Sequence, residues 1–203
     1  SIWSALKNYK DDSEVSLFLQ NIIFNDPKYY SVSDAFKALT IVDTAAARKN
    51  VDYLLSIDSH SDVIRKAAIS YFGIVKNEYN YNRLKQLAAY GGTTWDARPE
   101  AVSQLSKYIK EHKEDLLNLY IDFLDDRSRD VRRRAVQALG RYGHEEHLGY
   151  LDEVLSLDPV IGRDVRAAKK RILSPKKTNS KSGLEKELQE ANDKIQEIKK
   201  ILD

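Results

Sequence analysis

A chain of 203 residues with 42% hydrophobic content is long enough for one or two globular domains with a sizeable core. Its 33 basic and 31 acidic residues nearly cancel to a net charge of +2, a balance that singles out neither nucleic acid nor a membrane surface as partner. The lack of cysteine rules out a disulfide framework and a thiolate metal site.

Eight Gly, four Pro and long periodic polar-apolar runs point to an all-α protein. No apolar run approaches the roughly 18 residues of a membrane span, and no signal peptide is evident, so the chain reads as soluble and cytoplasmic. It begins with Ser and contains no Met, as expected of a piece of a longer protein. Ile2, Trp3 and Leu6 share one helical face, the expected tail of a helix whose partners lie upstream.

Five helix pairs are predicted in order. The first covers residues 13–24 and 31–42, broken at Pro27, with Ser31 and Asp34 resembling a capping arrangement for its second helix. The others cover 45–57 with 62–76, 79–90 with 96–110, 112–124 with 130–142, and 145–155 with 162–173. Gly91-Gly92 supplies the turn of the third pair.

The second helices carry the organising signal. Asp62-Val63, Asp96-Ala97, Asp130-Val131 and Asp164-Val165 recur at a spacing of 34 residues, the mark of a repeat array. In the stretch 130–143, Val131, Ala135, Ala138, Leu139 and Tyr142 form one buried stripe. Asp130 is placed to cap that helix, and Gly140 and Gly143 to end it. Columns align down the repeats: Tyr71, Leu105, Leu139 and Leu173; Tyr53, Leu87, Ile121 and Leu155; and the small residues Ala67, Ala101 and Ala135, a series broken by Lys169 in the last unit. A polar residue there suits a terminal, capping repeat. The period is shared with tetratricopeptide repeats, but their Trp/Leu/Gly/Tyr series and closing Pro do not recur. The Asp-Val-Arg, Ala and Leu-Gly pattern resembles HEAT repeats. The expected fold is therefore an all-α, HEAT-like α-solenoid over residues 1–173 whose second helices line the concave side.

Residues 174–183 have no apolar side chain and three Lys, as a flexible basic linker would. Beyond them Leu184, Leu188, Ala191, Ile195, Ile198 and Leu202 make an a/d heptad seam, so residues 184–203 are an expected amphipathic helix. Such a short helix is marginal alone, which implies weak homodimerisation or docking on a neighbouring surface.

The sequence offers no catalytic constellation and no cofactor site. His144-Glu-Glu-His147 has its imidazoles three apart, whereas a zinc peptidase helix needs His-Glu-x-x-His; these two are expected as solvated turn histidines. The best binding signal is basic. Arg133, Arg134, Gln137 and Arg141 occupy the outward arc of one helix, and Arg166, Lys169 and Lys170 continue it on the next, a surface suited to an acidic protein partner. Aromatics do not interleave with these bases, which argues against nucleic acid. Arg98, Arg132 and Arg166 form a separate column, expected to pair with acids of neighbouring repeats.

The runs "NDPKYYSVSDAFKALT", "LAAYGGTTWDARPEAV" and "DVRRRAVQALGRYG", followed by the basic linker and heptad tail, resemble the C-terminal HEAT-like domain of microbial zinc aminopeptidases of the gluzincin family named after aminopeptidase N. The resemblance spans nearly the whole chain. It implies a non-catalytic domain that packs near an active site and shapes access to it, with zinc and the His-Glu-x-x-His motif carried by an upstream domain of the same polypeptide. Neither that motif nor the family's Gly-x-Met-Glu-Asn loop is present here, so no catalytic residue transfers. The alternatives are a free-standing HEAT-repeat scaffold binding a protein on its concave face, or a regulatory or chromophore-lyase protein, since bilin lyases share the Val-Arg and Ala-Leu-Gly pattern.

Overall fold

A computed structural model describes residues 7–174, which form ten α-helices and no strand. The expected helix at 184–203, nearly all of the linker at 174–183, and Ile2, Trp3 and Leu6 lie outside these residues. In chain order the helices are α1 (Ser13–Asn25), α2 (Tyr29–Val42), α3 (Thr44–Ser56), α4 (Val63–Ile74), α5 (Glu78–Ala88), α6 (Arg98–Leu105), α7 (Lys113–Asp122), α8 (Arg129–Tyr142), α9 (Leu148–Leu157) and α10 (Gly162–Leu173). Each odd-numbered helix packs against the even-numbered helix that follows it, so the chain is an α-solenoid of five pairs. No described helix is long and apolar enough to cross a membrane.

Several starts are set by short polar side chains that satisfy otherwise free N–H groups. Asp12 accepts from the N–H groups of Glu14 and Val15, both at 3.0 Å. Asn77 accepts from Asn80 N–H at 2.8 Å. Asp43 accepts from Ala46 N–H at 2.9 Å and from the Ser16 hydroxyl at 2.8 Å, so one carboxylate caps α3 and ties it to α1. Those bonds, led by the Ala46 N–H, hold Asp43 below the usual carboxylate range.

Three local expectations are corrected. Asp130 is not a cap, because α8 begins at Arg129 and Asp130 lies inside its first turn, 3.2 Å from Arg133. Ser31 and Asp34 likewise lie inside α2, which starts at Tyr29 without a side-chain cap. Gly140 does not end α8 but sits buried within it. A Cβ at Gly140 would fall 2.6 Å from both Cα and Cβ of Ala168, so glycine is what lets α8 and α10 meet backbone to backbone. Gly143 does follow the helix, yet with ordinary negative φ.

The two layers pack differently. Helices α2, α4, α6, α8 and α10 form one unbroken series of close contacts, with Ala67, Ala101 and Ala135 all buried between them. Small residues there bring the axes close. The helices α1, α3, α5, α7 and α9 approach one another much less closely. Closer spacing in one layer bends the stack toward it, so the even-numbered helices line the concave side. The aligned columns lose burial at the ends: Leu105 and Leu139 are buried, whereas Leu173 and Tyr53 are exposed.

Three arginines lock consecutive pairs, Arg65 and Arg98 buried and Arg132 half-buried. Arg98 on α6, only 2% exposed, donates from Nε to the Ala88 carbonyl at 3.1 Å and from its terminal nitrogens to Asp126 at 2.5 and 3.2 Å. It thus closes its own pair and grips the α7–α8 turn of the next. Arg132 on α8 repeats the move, reaching the Asp126 carbonyl at 2.5 Å and the Asp158 carboxylate in the α9–α10 turn. Arg65 serves the second pair, bonding the Leu55 carbonyl at 2.8 Å, Asp58 at 2.7 Å, and the buried Asp62. The Thr94 hydroxyl, from the following pair, bonds Asp62 in turn.

Candidate functional site

The concave layer holds the expected basic surface, and the fold divides it. Arg133, Gln137 and Lys169 are engaged inside the protein. Arg133 lies 3.2 Å from Asp130 and 3.4 Å from Asp164, Gln137 donates to Asp164 at 3.1 Å, and Lys169 meets Asp152 at 2.5 Å. Arg133 and Gln137 therefore clamp α8 to α10, and Lys169 clamps α10 to α9. Arg134, Arg141, Arg166 and Lys170 are exposed, and none has an acid within ion-pair distance among the described residues.

Arg134 and Arg141 are seven residues apart on α8, so they project from one face two turns apart. They flank a cavity of about 70 Å³ between α6 and α8, lined also by Ser103, Ser106, Gln137 and Tyr142. The cavity exists because α6 ends early: the chain tightens into a short 3₁₀ turn at Ser106–Tyr108, and the Ser106 hydroxyl bonds back to the Ser103 carbonyl at 2.7 Å. The guanidinium forks, the Ser103 hydroxyl and the Tyr142 hydroxyl together suit a carboxylate or similar anion.

The arginine column behaves as expected at Arg98 and Arg132 and departs from it at Arg166, which has no such partner among the described residues. Asp158 receives both Arg132 and, at 3.1 Å, Arg129; the Arg132 bond first and Arg129 second hold its carboxyl below the usual range. Arg65 was not expected, because it sits one position off the column of Arg98 and Arg132. Its acids Asp58 and Asp62 lie just ahead of it in the chain, whereas Arg98 and Arg132 reach forward to Asp126 and Asp158 in the following pair.

The histidine pair is structural. His147 is buried rather than solvated, and its Nδ1 accepts from His144 N–H at 3.2 Å, closing the turn before α9. Lys113 reaches the other side of the turn at His144 Nε2, 2.7 Å away. No group of three His, Asp or Glu among the described residues is placed to hold a metal ion.

A second polar cluster fills the gap between α5 and α7. The Tyr81 hydroxyl donates to Asp115, Lys85 meets the same carboxylate at 2.8 Å, and the His112 ring stacks on Tyr81 with centroids 3.9 Å apart. Burial first, and the hydrogen bond to Asp115 next, push the Tyr81 phenol well above its ordinary value; the bonds from Lys85, then Tyr81, hold Asp115 below its own. Both shifts oppose proton exchange near neutral pH. The cluster acts as a clip between first helices.

Comparison with models of known protein families, with curated proteins and with solved structures gives no match.

Proposed function

We propose that this chain is a non-catalytic helical-repeat module that binds an acidic segment of a protein partner along its concave face. One observation carries the reading. Arg134 and Arg141 stand exposed on either side of a polar cavity without an acid beside them among the described residues, while Arg98 and Arg132 are committed to holding the repeats together. The same residue type thus does two jobs, one structural and one open to a ligand. Arg166 and Lys170 extend the positive track along α10, as an extended acidic peptide would require.

The resemblance to aminopeptidase C-terminal domains supports a narrower version. In it the partner is a catalytic zinc domain of the same polypeptide, and this module shapes access to that domain's active site. A His-Glu-x-x-His sequence encoded ahead of Ser1 in the native gene would support this version, and its absence there would remove it.

The general reading is tested with a fluorescein-labelled Glu/Ser peptide titrated with the protein while anisotropy is followed. Binding should weaken with added salt, and Arg134→Glu combined with Arg141→Glu should lower affinity by at least about tenfold. Both side chains are exposed, so the fold should survive and circular dichroism should be unchanged. Equal affinity for the variant and the parent would sink the proposal.

A further inference from the structure

The wide spacing of the first helices opens a groove of about 460 Å³ between α7 and α9 on the face opposite the basic track. Apolar residues line it: half-buried Ile121 and, at the edge, exposed Leu157, over the buried Leu124 and Val154. Tyr150, 43% exposed, stands at the side with its hydroxyl available for a bond. The rim is acidic. Asp122, Asp125 and Glu153 are all exposed, and none has an ion-pair partner among the described residues. The local cause is clear: α7 gives way to a 3₁₀ turn at Phe123–Asp125, which turns Phe123 and Leu124 into the core and leaves Asp122 and Asp125 outside.

Between α5 and α7 the equivalent gap is occupied by the Tyr81–His112–Asp115 clip. Between α3 and α5 a groove of about 210 Å³ also opens, but Arg48, Asp52 and Asn80 make it polar and of mixed charge. The α7–α9 groove alone among these combines apolar walls with a rim of one sign. A cation brought among three exposed carboxylates that lack an ion-pair partner among the described residues is favoured.

We propose that the α7–α9 groove docks an amphipathic α-helix of a partner protein, one with aliphatic residues on one face and Lys or Arg flanking them. The aliphatic face replaces water over Ile121 and Leu157, and the flanking cations meet Asp122, Asp125 and Glu153. This is the helix-in-groove mode with the sign of charge set by the rim. It is independent of the concave track, which takes the opposite charge. The two surfaces together would let one molecule join an acidic segment to a basic helix.

The test uses the full chain and a labelled peptide of about fourteen Leu and Lys residues in amphipathic order, roughly 21 Å of helix. Anisotropy should show saturable binding to the parent protein. Asp122→Lys with Glu153→Lys should lower affinity by about tenfold or more, and Leu157→Ser several-fold. Because all three side chains are exposed, melting temperatures should stay near the parent's. Glu114→Lys, a charge reversal outside the groove, should leave affinity nearly unchanged. An equal loss in that control, tight binding of a Leu/Glu peptide, or no effect of the groove variants would each overturn the proposal. Sedimentation showing that the groove variants abolish a dimer of this chain would assign the groove to a second copy and overturn it as well.

Discussion

The two layers of this solenoid share a repeat but not a packing regime. In the even-numbered layer, Gly140 meets Ala168 backbone to backbone, Ala67, Ala101 and Ala135 are buried, and Arg98 and Arg132 bolt each pair to the next turn. In the odd-numbered layer, helices stand apart, and the gaps are either clipped by polar side chains or left as grooves. The dense layer sets the curvature and has exposed cations to spare. The open layer sets the grooves and has exposed acids to spare. Stability and recognition are therefore drawn from different residues of the same array.

The largest blow to that contrast should come from Ala135→Arg. The site is fully buried in the dense layer, so a guanidinium there has neither room nor partner. A loss of about 3–5 kcal/mol, or of cooperative unfolding altogether, should appear in denaturant titration. A parent-like curve would show that the layer is not packed this closely.

Glycine substitution compares the layers directly. Gly140→Ala must push α8 and α10 apart, at a cost of about 1–3 kcal/mol. Gly149→Ala, on α9 in the open layer, meets nothing within 4 Å among the described residues and should instead gain roughly 0.5 kcal/mol through helix propensity. Opposite signs in two thermal melts would sharpen the comparison; a shared sign would break it.

Tyr120 on α7 turns inward from the open layer into the core, fully buried, and its hydroxyl has no hydrogen-bond partner among the described residues. Burial there pushes its phenol well above the ordinary range. Tyr120→Phe should raise the melting temperature, by a gain on the order of 1 kcal/mol, because it removes a desolvated hydroxyl and leaves the ring packing intact.

The gentlest effect is a change of slope with pH. Asp158 is held below its ordinary 3.8 by Arg132 first and Arg129 second, so the unfolded chain takes up its proton before the folded one does. Its contribution is present above about that pH and is lost as pH falls through the lower, folded value. Arg129→Ala removes the exposed partner, brings the folded value back toward 3.8, and should flatten the acid limb of a stability–pH curve. An unaltered limb would show that Arg132 alone sets the carboxyl.

Much of the architecture was legible because helical repeats are local. The recurrence of Asp62, Asp96, Asp130 and Asp164 and the apolar stripes placed nine of the ten helices to within three residues at each end, since each unit repeats the same face to bury; α6, expected to run to residue 110, ends at Leu105, where the chain tightens into a 3₁₀ turn. Caps were less legible: an Asp near a helix start reads the same whether it precedes the first turn, as Asp12 does, or lies within it, as Asp130 does. The basic surface was visible as composition, and its division was not.

By itself, then, the sequence determined an all-α array of five pairs, because side-chain periodicity dictates which face of each helix must leave water. Only the tertiary structure decided what each charged residue does. Arg133 and Arg134 are neighbours in the chain, yet Arg133 is held by Asp164, which the chain brings back only one repeat later, and Arg134 faces an open cavity. Gly140 is likewise a helix interior rather than an end because Ala168 lies against it. Such assignments depend on residues a whole repeat away, and the angle at which successive pairs stack settles which of them come within reach.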